Sequence, residues 1–113
     1  MDNCVFCAIV KGEIPSRKVY EDEQMLAFYD LEPQAPVHVL AIPKQHIACA
    51  DEIDESNCAV FAHIFGKVPE ITKSLGLENG YRIVTNCGKE GCQSVRHLHF
   101  HVLGGRQLSG QMG

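Results

Sequence analysis

The sequence predicts an α+β fold: a five-stranded, mostly antiparallel sheet with one long helix and a short N-terminal helix. Three observations support this. Five short runs read as strands, bounded by turn residues. Apolar residues between Ser56 and Leu75 recur every three to four positions, which is the period of a helix. The strand-to-strand connections outside that helix are short, which favours antiparallel pairing.

The elements follow from local patterns. Apolar residues at 5, 6, 9 and 10 indicate a short first helix, closed by Gly12 and Pro15. Two strands around a turn at 21–24 come next, and then a central strand that Pro43 stops. The long helix has Asp54 or Ser56 as its N-cap, and Pro69 should kink or divide it. The last two strands are GYRIVTN (80–86) and RHLHFHVLGG (96–105), joined by the loop CGKEGCQSV.

Length and composition exclude several classes of protein. The 113 residues suit a single domain, 1–113, and 45% hydrophobic with 21% charged residues is typical of a soluble globular protein. No apolar run reaches the roughly 18 residues of a membrane span, and the N-terminus does not resemble a signal peptide, so we expect a cytoplasmic protein. A net charge of −4 argues against a nucleic-acid polymer as partner, but not against one bound nucleotide.

Three histidines alternate with apolar residues in the last predicted strand, at positions 97, 99 and 101. Side chains of a strand alternate between faces, so the three imidazoles should share one face, with neighbours roughly 6–7 Å apart. Such a row suits a small anionic group or a metal.

The loop before this row favours an anion. It offers Asn86, Gln93 and Ser94 as donors, and Glu90 is its only carboxylate. An imidazole facing a phosphate can attack phosphorus and hold the phosphoryl group as a transient phosphohistidine. The alternative is a solvated or metal-binding face without catalysis.

The segment HLHFHVLGGRQ resembles the signature of the histidine triad (HIT) family, and NCGKEGCQSVRHLHFHVLGGRQ with YDLEPQAPVHVLAIPKQHI resembles its Hint branch, the nucleotide-binding phosphoramidases. The similarity extends from about Cys4 to Gln107. It implies a HIT-like fold, a homodimer whose sheets join, and a purine nucleotide beside the histidines. It also implies hydrolysis at the α-phosphate of a nucleoside monophosphate, typically of AMP-lysine or another phosphoramidate, with no organic cofactor.

The resemblance assigns catalytic roles residue by residue. His99 matches the nucleophile and His101 the histidine that contacts the phosphate. Ser94 and Gln93 match loop residues that bind phosphate oxygens and serve the leaving group. His38 matches a histidine that supports the triad, although a single histidine on an apolar strand is more often a hydrogen-bonded core residue.

Nucleotide-binding roles follow in the same way. Asp30 matches the carboxylate that accepts both ribose hydroxyls, although by its position it could be only a turn former. Asn86 matches an amide on the phosphate and ribose side. Cys92 stands where the branch usually has glycine. The apolar wall around the base, whose members by pattern alone could equally be core residues, corresponds to Phe6, Ile9, Ile14, Phe28 and Leu31.

Cys4 and Cys7 form a C-x-x-C pair, half of a tetrahedral Cys2His2 set. The rival interpretations are a redox dithiol, which usually follows a strand in a βαβ context, and an accidental pair. Some HIT proteins carry zinc on a matching pair, the histidine after IPK and the first triad histidine. The resemblance therefore implies a structural zinc held by Cys4, Cys7, His46 and His97.

Three functions remain open at this point. The leading hypothesis is a phosphoramidate hydrolase with a covalent histidine intermediate. The alternatives are a regulatory module that binds AMP or GMP with negligible turnover, and a hydrolase of dinucleoside polyphosphates.

Overall fold

The computed structural model describes residues 3–113 and has the predicted α+β architecture. All neighbouring strands pair antiparallel, in the order β1-β2-β3-β5-β4. None of the helices within residues 3–113 is long and apolar enough to cross a membrane. The elements are α1 (Val5–Val10), β1 (Lys18–Glu21), β2 (Met25–Tyr29), β3 (Val37–Pro43), a 3-10 turn (Ala50–Glu52), α2 (Ala59–Ser74), β4 (Tyr81–Val84) and β5 (Phe100–Gly104).

The face of the sheet that packs against α2, here the α2 face, is continuously apolar. Ile64 and Ile71 of α2 are buried among strand side chains. The Phe100 ring contacts Phe61 and Phe65 edge-on, with centroids 6.1 and 5.1 Å apart. The strand side chains in this cluster, together with Leu98 just before β5, are Met25, Ala27, Val39, Ala41, Leu98, Phe100 and Val102.

The opposite face, here the α1 face, has a smaller apolar cluster. Phe6 and Ile9 of α1 pack on Leu26, Phe28, Leu40 and Ile42. Strand alternation separates the two clusters, since Leu26 and Phe28 point away from the neighbours Met25 and Ala27. The α1 face also carries the histidines.

The structure corrects the start of the long helix and shows that Pro69 does not divide it. The helix begins at Ala59, because Asp54 accepts hydrogen bonds from the amide and hydroxyl of Ser56 and holds a separate turn before it. The helix also continues undivided through Pro69. Pro69 lacks the N–H that would bond the Phe65 carbonyl, and both residues are exposed, so water can satisfy that oxygen.

The last strand is shorter than predicted. Its pairing with β3 starts at Ala41 with Phe100, so His97 and His99 precede the ladder and only His101 lies within it. The predicted alternation nevertheless extends back to His97, since Leu98 packs on the α2 face while Phe6 contacts His97 and His99 from the α1 face.

Candidate active site and candidate metal centre

A cavity of about 460 Å³ lies on the α1 face of the sheet. Its size is in the range of small-molecule sites, roughly 300–1,000 Å³. One wall is apolar, and the other carries polar side chains from β2, β3, β5 and the loop before β5. The structure brings ten predicted residues together around it: Phe6, Ile9, Ile14, Phe28, Asp30, Leu31, His38, Ser94, His99 and His101.

Helix α1 supplies much of the apolar wall. The Cys4 thiol caps this six-residue helix by accepting the Cys7 N–H. The Phe6 ring meets Phe28 and His99 edge-on, at centroid distances of 5.6 and 5.2 Å. Leu31 lies at the mouth of the cavity and is 93% exposed. An exposed leucine beside an open apolar pocket is free to contact a ligand.

Among the described residues 3–113, one ring nitrogen of His99 has a hydrogen-bond partner and the other has none. Its Nδ1 lies 2.7 Å from the carbonyl oxygen of His97, and a carbonyl can only accept, so Nδ1 carries the proton. Nε2 therefore keeps its lone pair and is the basic, nucleophilic nitrogen of the ring. The ring is buried and lines the cavity.

His38 and His101 form a hydrogen-bonded chain with a defined direction. The Gln34 backbone N–H donates to His38 Nδ1 at 3.0 Å, so His38 carries its proton on Nε2. That N–H donates to His101 Nδ1 at 2.8 Å. His101 therefore carries its own proton on Nε2 and can donate it to a ligand.

Burial keeps these two imidazoles neutral. Burial, aided by neighbouring His99 and His38, lowers the pKa of His101 to about 4. Burial also lowers the pKa of His38, against the opposing effect of the Asp30 carboxylate. Near neutral pH both rings therefore act as hydrogen-bonding groups without charge.

Asp30 is both a turn former and a cavity residue. Its Oδ1 accepts the Glu32 N–H at 2.8 Å, and its Oδ2 lies 3.4 Å from His38 Nε2. The ligand atoms of Asp30, His38 and His101 lie within 4.8 Å of one another, which is metal-site spacing. The hydrogen bond between the imidazoles of His38 and His101 accounts for the short distance between those two residues without a metal.

The loop before β5 brings Ser94 to the cavity and uses two other predicted residues to hold itself. The Gln93 amide donates to the carbonyls of Ala48 and Val95 at 2.7 and 2.9 Å, and the Asn86 amide donates to Gly91 at 2.7 Å. Neither residue is among those lining the cavity, so their roles at a phosphate stay predictions.

Cys92 in the same loop has a left-handed backbone, with a φ of 61°. That conformation favours glycine, which is the residue that the Hint branch usually has here. The thiol therefore occupies a position whose backbone suits a residue without a side chain.

The predicted metal ligands also meet. The Nδ1 of His97 lies 3.4 Å from Cys4 Sγ and 3.6 Å from Cys7 Sγ, and the Nδ1 of His46 lies 3.2 Å from Cys7 Sγ. All four ligand atoms are within 4.8 Å of one another. Zinc bonds of about 2.3 Å to sulfur and 2.0–2.1 Å to nitrogen, at tetrahedral angles, separate such ligands by about 3.6 Å. The residues present fit a four-coordinate metal.

The orientation of His97 supports the same conclusion. Its Nε2 lies 2.8 Å from the Pro43 carbonyl, so Nε2 carries the proton and Nδ1 directs its lone pair at the cysteines. Burial lowers the pKa of His97 and of His46. Neutral imidazoles are the form that binds metal.

Sequence reasoning missed several residues of the site. Ser16, Arg17 and Tyr29 line the cavity, and the Arg17 guanidinium lies 4.5 Å from the centre of the Tyr29 ring. Their position next to Ile14 and Asp30 in the chain was the available signal. The role of the Gln34 backbone N–H had no signal, since nearly every residue has such a group.

Fold and site together define a class: small α+β proteins in which three buried or half-buried histidines, on or beside an antiparallel sheet, line a cavity of small-molecule size. The chain belongs to one family of that class, the histidine triad family, since the HIT domain model matches residues 11–108.

Similar proteins agree with this assignment. A 14 kDa zinc-binding protein of Zea mays is 46% identical over 93% of this chain and 84% of its own, and the protein HitA of Neisseria gonorrhoeae is 44% identical over 92% and 97%. A HIT family hydrolase from Clostridium thermocellum superposes with a TM-score of 0.96 at 48% identity, covering 99% of this chain and 98% of its own. The fold is thus that of the HIT family hydrolases.

Proposed function

We propose that the protein is a nucleotide-binding hydrolase of the Hint type that cleaves purine nucleoside phosphoramidates, such as AMP-lysine, through a nucleotidyl-histidine on His99. One observation carries the proposal. The His97 carbonyl holds the Nδ1–H of His99 at 2.7 Å, which leaves Nε2 as a nucleophile on a ring that lines the cavity.

In the first step, His99 Nε2 attacks the α-phosphorus and the P–N bond breaks. The leaving nitrogen takes a proton from the medium, relayed by the Ser94 hydroxyl, which is reprotonated as it donates, and departs as an amine. The positive charge that develops on the His99 ring is stabilised by the His97 carbonyl, which already accepts its Nδ1–H. The Nε2–H of His101 donates to a non-bridging phosphate oxygen.

In the second step, water attacks phosphorus and the bond to His99 Nε2 breaks. Water supplies a hydroxyl to phosphorus and a proton to the medium, so the sum is phosphoramidate plus water giving nucleoside monophosphate plus amine. His99 returns to its neutral, Nδ1-protonated form.

The cavity supports a nucleoside as the substrate. Its apolar wall of Phe6, Ile9 and Phe28 offers surfaces on which a purine can stack. Asp30 Oδ2 is suited to accept hydrogen bonds from ribose hydroxyls, because the nearby His38 Nε2–H donates to His101 and the Glu32 N–H uses Oδ1. Phosphate would then reach His99 and His101.

The test compares turnover of a fluorogenic adenosine 5′-phosphoramidate with that of a diadenosine polyphosphate, followed by base quenching and mass spectrometry for a nucleotidyl adduct on His99. Faster phosphoramidate cleavage with an adduct supports the proposal. Faster polyphosphate cleavage would identify a dinucleoside polyphosphate hydrolase. Binding of AMP or GMP without turnover of either compound would identify a regulatory module.

We also propose that the four-residue cluster holds a structural zinc. The ligand spacing supports this, as does the name of the Zea mays relative, a zinc-binding protein. When bound, zinc cross-links α1 to the segments around His46 and His97, and four protein ligands leave no position open for chemistry. Metal analysis should find about one zinc per protomer. Metal-free protein whose melting is unchanged by a strong chelator would contradict this.

We further propose a cytoplasmic homodimer. Thiolate ligands require reduced cysteines, which the cytoplasm maintains. Exposed aromatic side chains, Phe65 on α2 and Tyr81 on the edge strand β4, are 45% and 41% accessible and could be covered by a second copy. Sedimentation showing a monomer at all concentrations would contradict the dimer.

A further inference from the structure

The nucleophile is not held by the sheet. Pairing between β3 and β5 begins at Ala41 with Phe100, one residue after His99. His99 therefore lies in irregular backbone, and its ring orientation depends on other contacts. Of these, the hydrogen bond from Nδ1 to the His97 carbonyl sets the tautomer.

That carbonyl belongs to a peptide unit that is anchored at its other end. The His97 oxygen accepts from His99 Nδ1 at 2.7 Å, and the Leu98 N–H of the same unit donates to the Ile47 carbonyl at 2.6 Å. Because a peptide unit is planar, fixing its N–H also fixes the direction of its carbonyl. The bond to Ile47 therefore points the acceptor at the nucleophile.

Both anchors of this peptide unit adjoin residues of the metal cluster. His97 directs its Nδ1 at Cys4 and Cys7 from 3.4 and 3.6 Å. Ile47 follows His46, whose Nδ1 lies 3.2 Å from Cys7 Sγ. Neither segment lies in a helix or strand. Hydrogen bonds to the Ile47 and Pro43 carbonyls join them, and the cluster adds side-chain contacts through His46 and His97.

A third connection passes through α1. Phe6 lies between Cys4 and Cys7 in the chain, and its ring meets His97 and His99 edge-on at 5.8 and 5.2 Å. The residues that would hold the metal thus also place the ring that packs on the nucleophile.

We infer that His97 is a positioning residue that couples the metal centre to catalysis: ligation at its side chain fixes the 97–98 peptide unit, whose carbonyl orients His99. The metal centre then has a second role besides stabilising the fold. The inference rests on the proposed function for its effect on rate, but its effect on the His99 ring can be measured without turnover.

The experiment compares two variants, both of which keep a good N-cap residue at position 4, the start of α1. Serine and aspartate are good N-caps, but of the two the aspartate carboxylate is the established zinc ligand. Cys4→Ser with Cys7→Ser should empty the site, whereas Cys4→Asp should retain it. Cys58→Ser, at an exposed thiol outside both sites, is the matched control.

Two quantities are measured on folded protein, well below each variant's melting midpoint. Nitrogen-15 NMR reports which nitrogen of His99 carries the proton, and rapid quenching reports the single-turnover rate of nucleotidyl-histidine formation. In the emptied variant we expect a mixture of His99 tautomers and a rate about 10–100-fold lower, the loss typical of residues that orient a ligand or catalytic group. AMP affinity should change less than the rate. Cys58→Ser should resemble the parent protein, whereas Cys4→Asp should bind zinc and have a His99 tautomer and a rate closer to the parent's than the emptied variant has.

A folded, metal-free variant with the parent's single His99 tautomer and rate would overturn the inference. If the double variant does not fold, Cys4→Ser is compared with and without added zinc; a tautomer and rate that do not respond to zinc would overturn it as well. If zinc-loaded parent protein fails to cleave any phosphoramidate, the proposed function fails, while the tautomer comparison still decides the coupling.

Discussion

The two faces of the sheet differ in composition and in their contribution to stability. The α2 face is a continuous apolar layer in which Ile64, Leu98 and Phe100 pack against one another through dispersion and the hydrophobic effect. The α1 face combines a small apolar cluster with buried histidines, an aspartate and a cavity. The α2 face stabilises the fold. On the α1 face much of the buried volume is occupied by polar groups, which stabilise the fold little.

The helices on the two faces differ accordingly. Helix α2 has sixteen residues and a buried stripe, whereas α1 has six. Isolated helices shorter than about 12–15 residues are marginal in water. Helix α1 therefore depends on its contacts, including the cysteine and histidine cluster at its start. The face with the cavity is therefore the one whose packed helix is too short to be stable by itself.

The largest expected effect separates chemistry from stability on the α1 face. His99→Ala and His99→Asn should each lower phosphoramidate turnover by about 10⁴-fold or more, because a covalent route has lost its nucleophile. AMP binding, measured by calorimetry, should persist because many other contacts remain. Retained turnover in both variants would contradict the covalent route.

On the α2 face we expect a substitution to lower stability and leave turnover nearly unchanged. Ile64 is fully buried, so Ile64→Ala should lower the free energy of unfolding by about 2–5 kcal/mol, measured by urea denaturation. The folded fraction should keep its turnover within about twofold, because Ile64 lies outside the cavity. Glu70→Ala, at an exposed position of the same helix, is the control and should change stability by less than about 0.5 kcal/mol.

Acid should weaken the α1 face selectively. The pKa of His101 is about 4 in the folded protein against 6.5 when unperturbed, so between these values the unfolded chain binds more protons and stability falls as pH falls. We expect His101 to account for about 2 kcal/mol of loss between pH 7 and pH 4, after allowance for its partial exposure.

His101→Gln tests this dependence, since it removes the titrating group. The variant should show a shallower decline in unfolding free energy from pH 7 to pH 4. The ionisable side chains that face His101 are His99, His38 and Asp30, and they remain in both proteins. Parallel stability curves for the two proteins would contradict the assignment.

The smallest expected effect lies where α2 meets the β1–β2 turn. His63 Nε2 lies 2.6 Å from Asp22 Oδ2, and both side chains are about one quarter exposed. His63→Ala should cost about 1 kcal/mol of stability, the usual value for a partly exposed hydrogen bond, and leave turnover unchanged. A double-mutant cycle with Asp22→Asn measures the coupling energy between the two side chains. A coupling energy of zero would show that their hydrogen bond does not contribute to stability.

The α2 face was largely predictable, because periodicity reports directly on burial. The three-to-four spacing located α2, and the alternation around His97 separated Leu98 and Phe100 from the histidines. The start of α2 was misplaced because Asp54 and Ser56 have the chemistry of an N-cap but bond to each other in a preceding turn. Local pattern does not distinguish a capped turn from a capped helix.

The α1 face was predictable in its side chains and less so in its backbone. Ten of the predicted catalytic and nucleotide-binding residues line one cavity, and the four predicted metal ligands converge. What sequence could not supply were the directions of hydrogen bonds, such as Gln34 N–H to His38 and Leu98 N–H to Ile47. Such bonds depend on which backbone groups tertiary structure leaves adjacent.

The central pairing of β3 with β5 affects the order in which the chain folds. His38 and His101 face each other across this pair, yet α2 and β4 separate the two strands in the chain. Closing so long a loop is entropically costly and slow compared with forming a hairpin such as β1–β2. A partly folded chain can have a hairpin, a helix and a hydrophobic layer, but it lacks the hydrogen bond between His38 and His101 until β3 and β5 pair. Binding of the proposed nucleotide would therefore require completed folding and would serve as a reporter of its final step.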